Sequence, residues 1–296
     1  MRLLFHIAWL LVGSAGIAEA QTGSPPLLGK LIDVGGYRVH LYCIGDGKPT
    51  VFIAGGFSVD WALVQPSVAK WARVCTYDVS GTAWSDPGPS LTCLDRVHEV
   101  HKLVENAGIE RPFVFVGFSI GALLAREYAS LYPSELAGIV MVDHAFLPPE
   151  PPPLKPPAPL RPGEDSPPVP IKTAPIELTV EDSSDFAKLP KRFQELHRWA
   201  ASSRPVLPTA ETAKNCIAQL KNTPPAAHPL GNLPLVVIRT ANDTPGYDEL
   251  QSELLALSSN SKRLLAERSF HSIEIDQPEI VIEGIREVLV KISPTR

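Results

Sequence analysis

The chain has 296 residues, enough for one large domain or one domain carrying an insert, and residues of apolar type make up 44% of it against 20% charged. That balance excludes disordered, collagen-like and coiled-coil chains. A net charge of −5 leaves no basic footprint for nucleic acid, and Lys and Arg form no stripe suited to a membrane surface.

The N-terminus reads as a leader. Arg2 is followed by an apolar run from Leu3 to Val12 and then by small residues ending Ala18-Glu19-Ala20. This is the layout of a secretory signal peptide cleaved after Ala20, so residues 1–20 are set apart from the fold. The apolar run is too short for a stable membrane anchor. The expectation is a secreted or periplasmic protein. Its four cysteines, Cys43, Cys75, Cys93 and Cys216, are then free to pair, although their spacing selects no pairing. No C-x-x-C and no nearby histidine pair marks a metal site.

Strand and helix patterns alternate along the rest. Arg38 to Cys43, Thr50 to Ala54 and Arg73 to Asp78 read as strands, each followed by glycine-rich turns or loops. Leu94 to Ala107 has helical spacing and stops at Gly108. Pro112 to Val116 reads as a strand, Ile120 to Tyr132 as a helix and Leu136 to Val142 as a further strand. The pattern then breaks, because 13 of the chain's 31 prolines fall between Pro148 and Pro175. Such a segment is neither helix nor central strand. Two helices are expected after it, Ser184 to Ala201 and Ala210 to Lys221. Alternation resumes with strand Leu233 to Thr240, helix Tyr247 to Ser258, strand Lys262 to Glu267 and helix Pro278 to Ile292. The expected fold is α/β, a mostly parallel central sheet flanked by helices. Residues 21–146 and 233–296 form its two parts, and 147–232 a Pro-rich helical cap insertion.

The most informative stretch is Gly117-Phe118-Ser119-Ile120-Gly121, a G-x-S-x-G motif between a predicted strand and a predicted helix. A sharp turn there exposes the serine hydroxyl and aims the amide of Ile120 at the same point. On this motif, its flanking elements and the βα alternation, the chain resembles the α/β-hydrolase superfamily over about residues 30–292, outside the cap. The resemblance implies the order nucleophile, acid, histidine. Ser119 is then the nucleophile. Asp243, after Leu235 to Ala241, stands at the acid position, with Asp143 in Val142-Asp143-His144 as the alternative acid. His271, in the loop Phe270-His271-Ser272 before the last helix, stands at the base position.

The resemblance further implies an oxyanion hole built from the Ile120 amide and one from the loop Ile53-Ala54-Gly55-Gly56-Phe57. Gly56 is the candidate there, with Phe57 beside it. Ala54 replaces a histidine usual in the family. Tyr77 to Asp86 resembles a family turn after the fourth strand, with Ala83 in place of a common glycine. His98 and His101 miss the zincin spacing and read as an exposed helix face.

A Ser–His pair suits an acyl carbon, whereas the family's dehalogenases and epoxide hydrolases carry Asp at the nucleophile position. The expected activity is hydrolysis of a small carboxylic ester through an acyl-enzyme, with no cofactor. Two alternatives stand beside it: an amidase or aminopeptidase of the same fold, with Glu177, Glu181, Asp182 and Asp185 available in the cap to hold an amine, or a binding protein that has lost turnover. The prolines make the insert stiff, which favours a small fixed cap.

Overall fold

The computed structural model describes residues 24–88, 92–145, 185–202, 209–221, 228–241 and 246–293. The expected leader, the Pro-rich stretch and Asp243 lie outside the described residues.

Eight strands form one sheet among the described residues: β1 (Lys30–Asp33), β2 (Arg38–Ile44), β3 (Val51–Ala54), β4 (Val74–Asp78), β5 (Phe113–Phe118), β6 (Leu136–Val142), β7 (Leu235–Thr240) and β8 (Ser261–Ala266), in the spatial order β1-β2-β4-β3-β5-β6-β7-β8. At one edge β1 pairs antiparallel with β2 and β2 antiparallel with β4, and the other five pairings are parallel. The central strands are apolar on both faces because helices cover both. Along β5, Phe113 and Phe115 point into one core while Val114, Val116 and Phe118 point into the other. The first core is closed by α2 (Cys93–Asn106) and α3 (Ile120–Leu131), the second by α1 (Gln65–Val68) and α8 (Pro278–Ile292). The other helices are α4 (Lys191–Ser202), α5 (Thr209–Lys221), α6 (Tyr247–Ala256) and α7 (Ile273–Asp276).

The described parts of the insert go to two places. Helix α5 lies in the helical layer on the sheet. Its Ala213 and Cys216 join the core of α2 and α3, and Gln219 Nε2 donates to Glu127 Oε1 on α3 at 2.7 Å. A disulfide between Cys93 and Cys216 ties it to α2, and a second joins the facing residues Cys43 and Cys75 of β2 and β4. Of the described parts of the insert, the segment 185–202 packs against the loop after β3. The helix expected over Ser184 to Ala201 is divided, with a 3-10 turn at Phe186–Lys188 before α4. Pro190 causes the division, since proline disfavours helical backbone in the residue before it and fits the start of a new helix. The apolar face of α4 packs downward. Leu196 and Ala200 meet Phe57 and Val59, and Leu189 meets Ala62 and Ile275.

Candidate active site

Ser119 stands between β5 and α3 with φ 53° and ψ −117°, a strained backbone for a non-glycine residue. Two glycines let the turn close. A Cβ on Gly117 would lie 2.3 Å from the Gly121 carbonyl oxygen, and one on Gly121 would lie 2.0 Å from that of Ala54. The sharp turn leaves the Ser119 side chain in reach of His271, whose Nε2 is 3.0 Å from Ser119 Oγ. On the other side of the ring, Nδ1 is 2.7 Å from Asp143 Oδ2.

Asp143 follows β6, is buried, and also adopts a positive φ of 39°. Its second oxygen, Oδ1, accepts a hydrogen bond from the hydroxyl of buried Tyr247 at the start of α6. Burial, and next the Asp143 carboxylate, push the Tyr247 phenol well above its ordinary range, so it stays protonated and donates. The Arg239 guanidinium lies over the Tyr247 ring, 4.6 Å from its centroid.

The preference for Asp243 as the histidine's partner gives way here. A ring nitrogen has one in-plane hydrogen-bond direction, and that of His271 Nδ1 is taken by Asp143.

The loop after β3 is arranged by the 3-10 turn that follows it, Ser58–Leu63. Trp61 Nε1 donates to the Gly55 carbonyl at 2.9 Å, and the Phe57 amide donates to Asp60 Oδ2 at 2.9 Å. Phe57 is therefore corrected as an oxyanion donor, because its N–H is already engaged. Among the described residues, none accepts a hydrogen bond from the Gly56 or the Ile120 amide. Buried Asp78, at the end of β4, binds His40 Nδ1 at 2.6 Å and the Ser58 amide at 2.7 Å, so it braces this same loop.

The comparisons with known proteins agree with this fold. The α/β hydrolase fold family model matches residues 51–162. The uncharacterized protein YqjL of Bacillus subtilis (strain 168) is 22% identical over 254 residues, which are 82% of this chain and 85% of that one. A laboratory-evolved variant of a potato epoxide hydrolase superposes with a TM-score of 0.67 at 14% identity, over 88% of this chain and 98% of that one. An esterase from Thermogutta terrifontis superposes with a TM-score of 0.60 at 18% identity, over 86% and 94%. The chain has the α/β-hydrolase fold.

Several residues around the site carry no motif. Tyr247 is one. His197 is another: it reads as a motif-free histidine of the insert, yet its Nδ1 lies 2.8 Å from Asp60 Oδ1. Burial pushes the Asp60 carboxyl up, and the hydrogen bond from His197 opposes that shift. His101, expected on an exposed face, is half-buried, stacks on Tyr132 and bonds Glu135 at 3.2 Å. Among the cap acids, Asp185 is described and its amide donates to Asp276. Glu177, Glu181 and Asp182 lie outside the described residues.

His144, next to Asp143, is buried between the Ala145 carbonyl, 2.8 Å from Nδ1, and Arg126 Nη1, 3.3 Å from Nε2. Desolvation, and next the Arg126 charge, lower it to about 3, so the folded ring is neutral. In the unfolded chain it titrates near 6.5, as an ordinary histidine does. Its contribution to stability is therefore complete above that value and is lost as pH falls toward 3, at about 1.4 kcal/mol per pH unit. His144→Gln is expected to flatten the fall of Tm across this acid range. An unchanged slope would remove His144 from the account.

Proposed function

We propose that the protein is an exported serine hydrolase that cleaves carboxylic esters through an acyl-enzyme. The observation that carries this reading is the His271 ring, bonded to Ser119 Oγ on one side and to Asp143 on the other. In this reading neutral His271 takes the Ser119 proton as Oγ attacks the ester carbonyl. Asp143 fixes the tautomer that presents Nε2 as base and stabilises the imidazolium that forms. Tyr247, on the other carboxylate oxygen, keeps Asp143 from turning away. The Gly56 and Ile120 amides receive the oxyanion. The imidazolium then gives its proton to the departing alcohol, and a water activated by the same histidine releases the acid.

Serine at the nucleophile position favours an acyl substrate over the epoxides named for one structural neighbour, since attack on an sp³ carbon in this fold uses a carboxylate. The two disulfides support export, because such bonds persist in oxidising compartments. The fastening of segment 185–202 to the loop after β3 favours a fixed cap and small to medium acyl groups.

The test is hydrolysis of p-nitrophenyl esters from acetate to palmitate by residues 21–296. Turnover with an optimum at the short or medium chains is expected. An optimum at palmitate would overturn the small-pocket reading, and no turnover of any ester would overturn the ester assignment.

A further inference from the structure

Two buried carboxylates beside the site are used in the same way. Asp60 accepts the Phe57 amide on Oδ2 at 2.9 Å, and its Oδ1 lies 2.8 Å from His197 Nδ1 on α4. Asp276 accepts the Phe270 amide, in the loop that carries His271, on Oδ2 at 3.0 Å. Its Oδ1 accepts the Asp185 amide at 3.0 Å, and Lys188 Nζ donates to its backbone carbonyl at 3.1 Å. Each carboxylate thus holds a backbone amide of a site loop with one oxygen and the insert with the other. The Asp60 and Asp276 side chains are 6% and 3% exposed, so water competes little for these bonds.

We infer that segment 185–202 is a positioning strap. Through Asp60 and Asp276 it sets the oxyanion loop and the histidine loop in register with each other. His197 and Lys188 are its positioning residues. The inference rests on the hydrolytic reading of Ser119 and His271 and deepens it. The two loops follow β3 and β8, which occupy different places in the sheet and do not pair. Among the described residues, the strap is bonded to the carboxylates that brace both loops. The His197 ring is seated between Phe186, with centroids 4.1 Å apart, and Phe57, at 5.7 Å, which fixes the angle at which it meets Asp60. Loss of this bond frees the Phe57 turn, and with it the direction of the neighbouring Gly56 N–H. Displacements of that size matter most in the transition state, where the oxyanion is held, and little in ground-state binding.

The experiment uses the full exported chain. Phe at position 197 keeps the ring packing and removes the hydrogen bond, whereas Asn places an amide donor where Nδ1 stood. Live sites are titrated with a fluorophosphonate, and ester kinetics are expressed per labelled site. His197→Phe is expected to lower kcat per site about tenfold with KM changed less than about twofold, and His197→Asn to stay within about twofold of the parent. Hydrogen exchange of the peptide spanning residues 55–60 is expected to accelerate about tenfold in His197→Phe and not in His197→Asn. Unchanged kcat per site, or unchanged exchange, in His197→Phe overturns the strap. If His197→Phe does not fold, Lys188→Met carries the test from the surface end of the strap. An expected fall in kcat per site of about threefold then supports the inference, and no change overturns it. A parent chain that takes up no fluorophosphonate overturns the hydrolytic reading itself, and the exchange measurement still judges the strap.

Discussion

Ser119→Ala is expected to lower kcat for ester hydrolysis on the order of 10⁶-fold while leaving substrate affinity within a few-fold. In the proposed mechanism the hydroxyl is the atom that attacks, and no other described nucleophile lies against His271 Nε2. The substitution is also mild for the fold, since the elbow is held by the backbone. The Ser119 amide donates to the Val142 carbonyl at 3.0 Å and its carbonyl accepts from Ala145 at 3.1 Å. Alanine at φ 53° inherits the strain that serine already bears. Circular dichroism and Tm are therefore expected to stay near those of the parent. Residual turnover within tenfold of the parent would place the chemistry elsewhere.

Asp143→Asn is expected to cost about 10⁴-fold in kcat, whereas Asp243→Asn changes it less than about tenfold. An amide at position 143 accepts poorly from His271 Nδ1 if its NH₂ faces the ring. The histidine then favours the wrong tautomer and presents N–H to Ser119. Facing the other way, the NH₂ meets the Tyr247 hydroxyl, which donates to Oδ1 in the native protein. Either orientation removes the charge that stabilises the imidazolium. Steady-state kinetics of the two variants side by side decide between the carboxylates. A larger loss at Asp243 would reverse the assignment.

The contrast between these aspartates shows where the sequence stops being legible. Asp143 and Asp243 each lie just after an apolar strand pattern. Nothing local says which carboxylate faces a histidine 128 positions from the first of them. Tyr247 was hidden for the same reason, since its hydroxyl meets Asp143 across 104 positions. The elbow was legible because its requirement is local. Gly117 and Gly121 are needed by atoms within the turn and by the adjacent β3 end, and the strand and helix on either side carry their own periodicity.

The parallel strands were legible as apolar runs because both of their faces are covered. β1 was not, because Lys30–Asp33 is four residues long, lies at the edge and is only partly buried. No element is predicted over the 3-10 turn Ser58–Leu63, although Asp60 and Trp61 within it shape the candidate oxyanion loop. Helix α5 was legible as a helix and misread in place. Its position on α2 is set by Ala213, Cys216 and the bond to Cys93, contacts that span 123 positions in the disulfide alone. His197 had no motif to mark it, because its partner is a buried carboxylate reached only after the insert folds back.

The most direct test of the central claim is the reaction of the purified chain with a fluorophosphonate, read by intact mass and by peptide mapping. A hydroxyl reacts this way only when a neighbouring base takes its proton. One adduct per chain is expected, on Ser119, with none in Ser119→Ala or His271→Ala. No adduct on the parent, or an adduct on another residue, would contradict that claim.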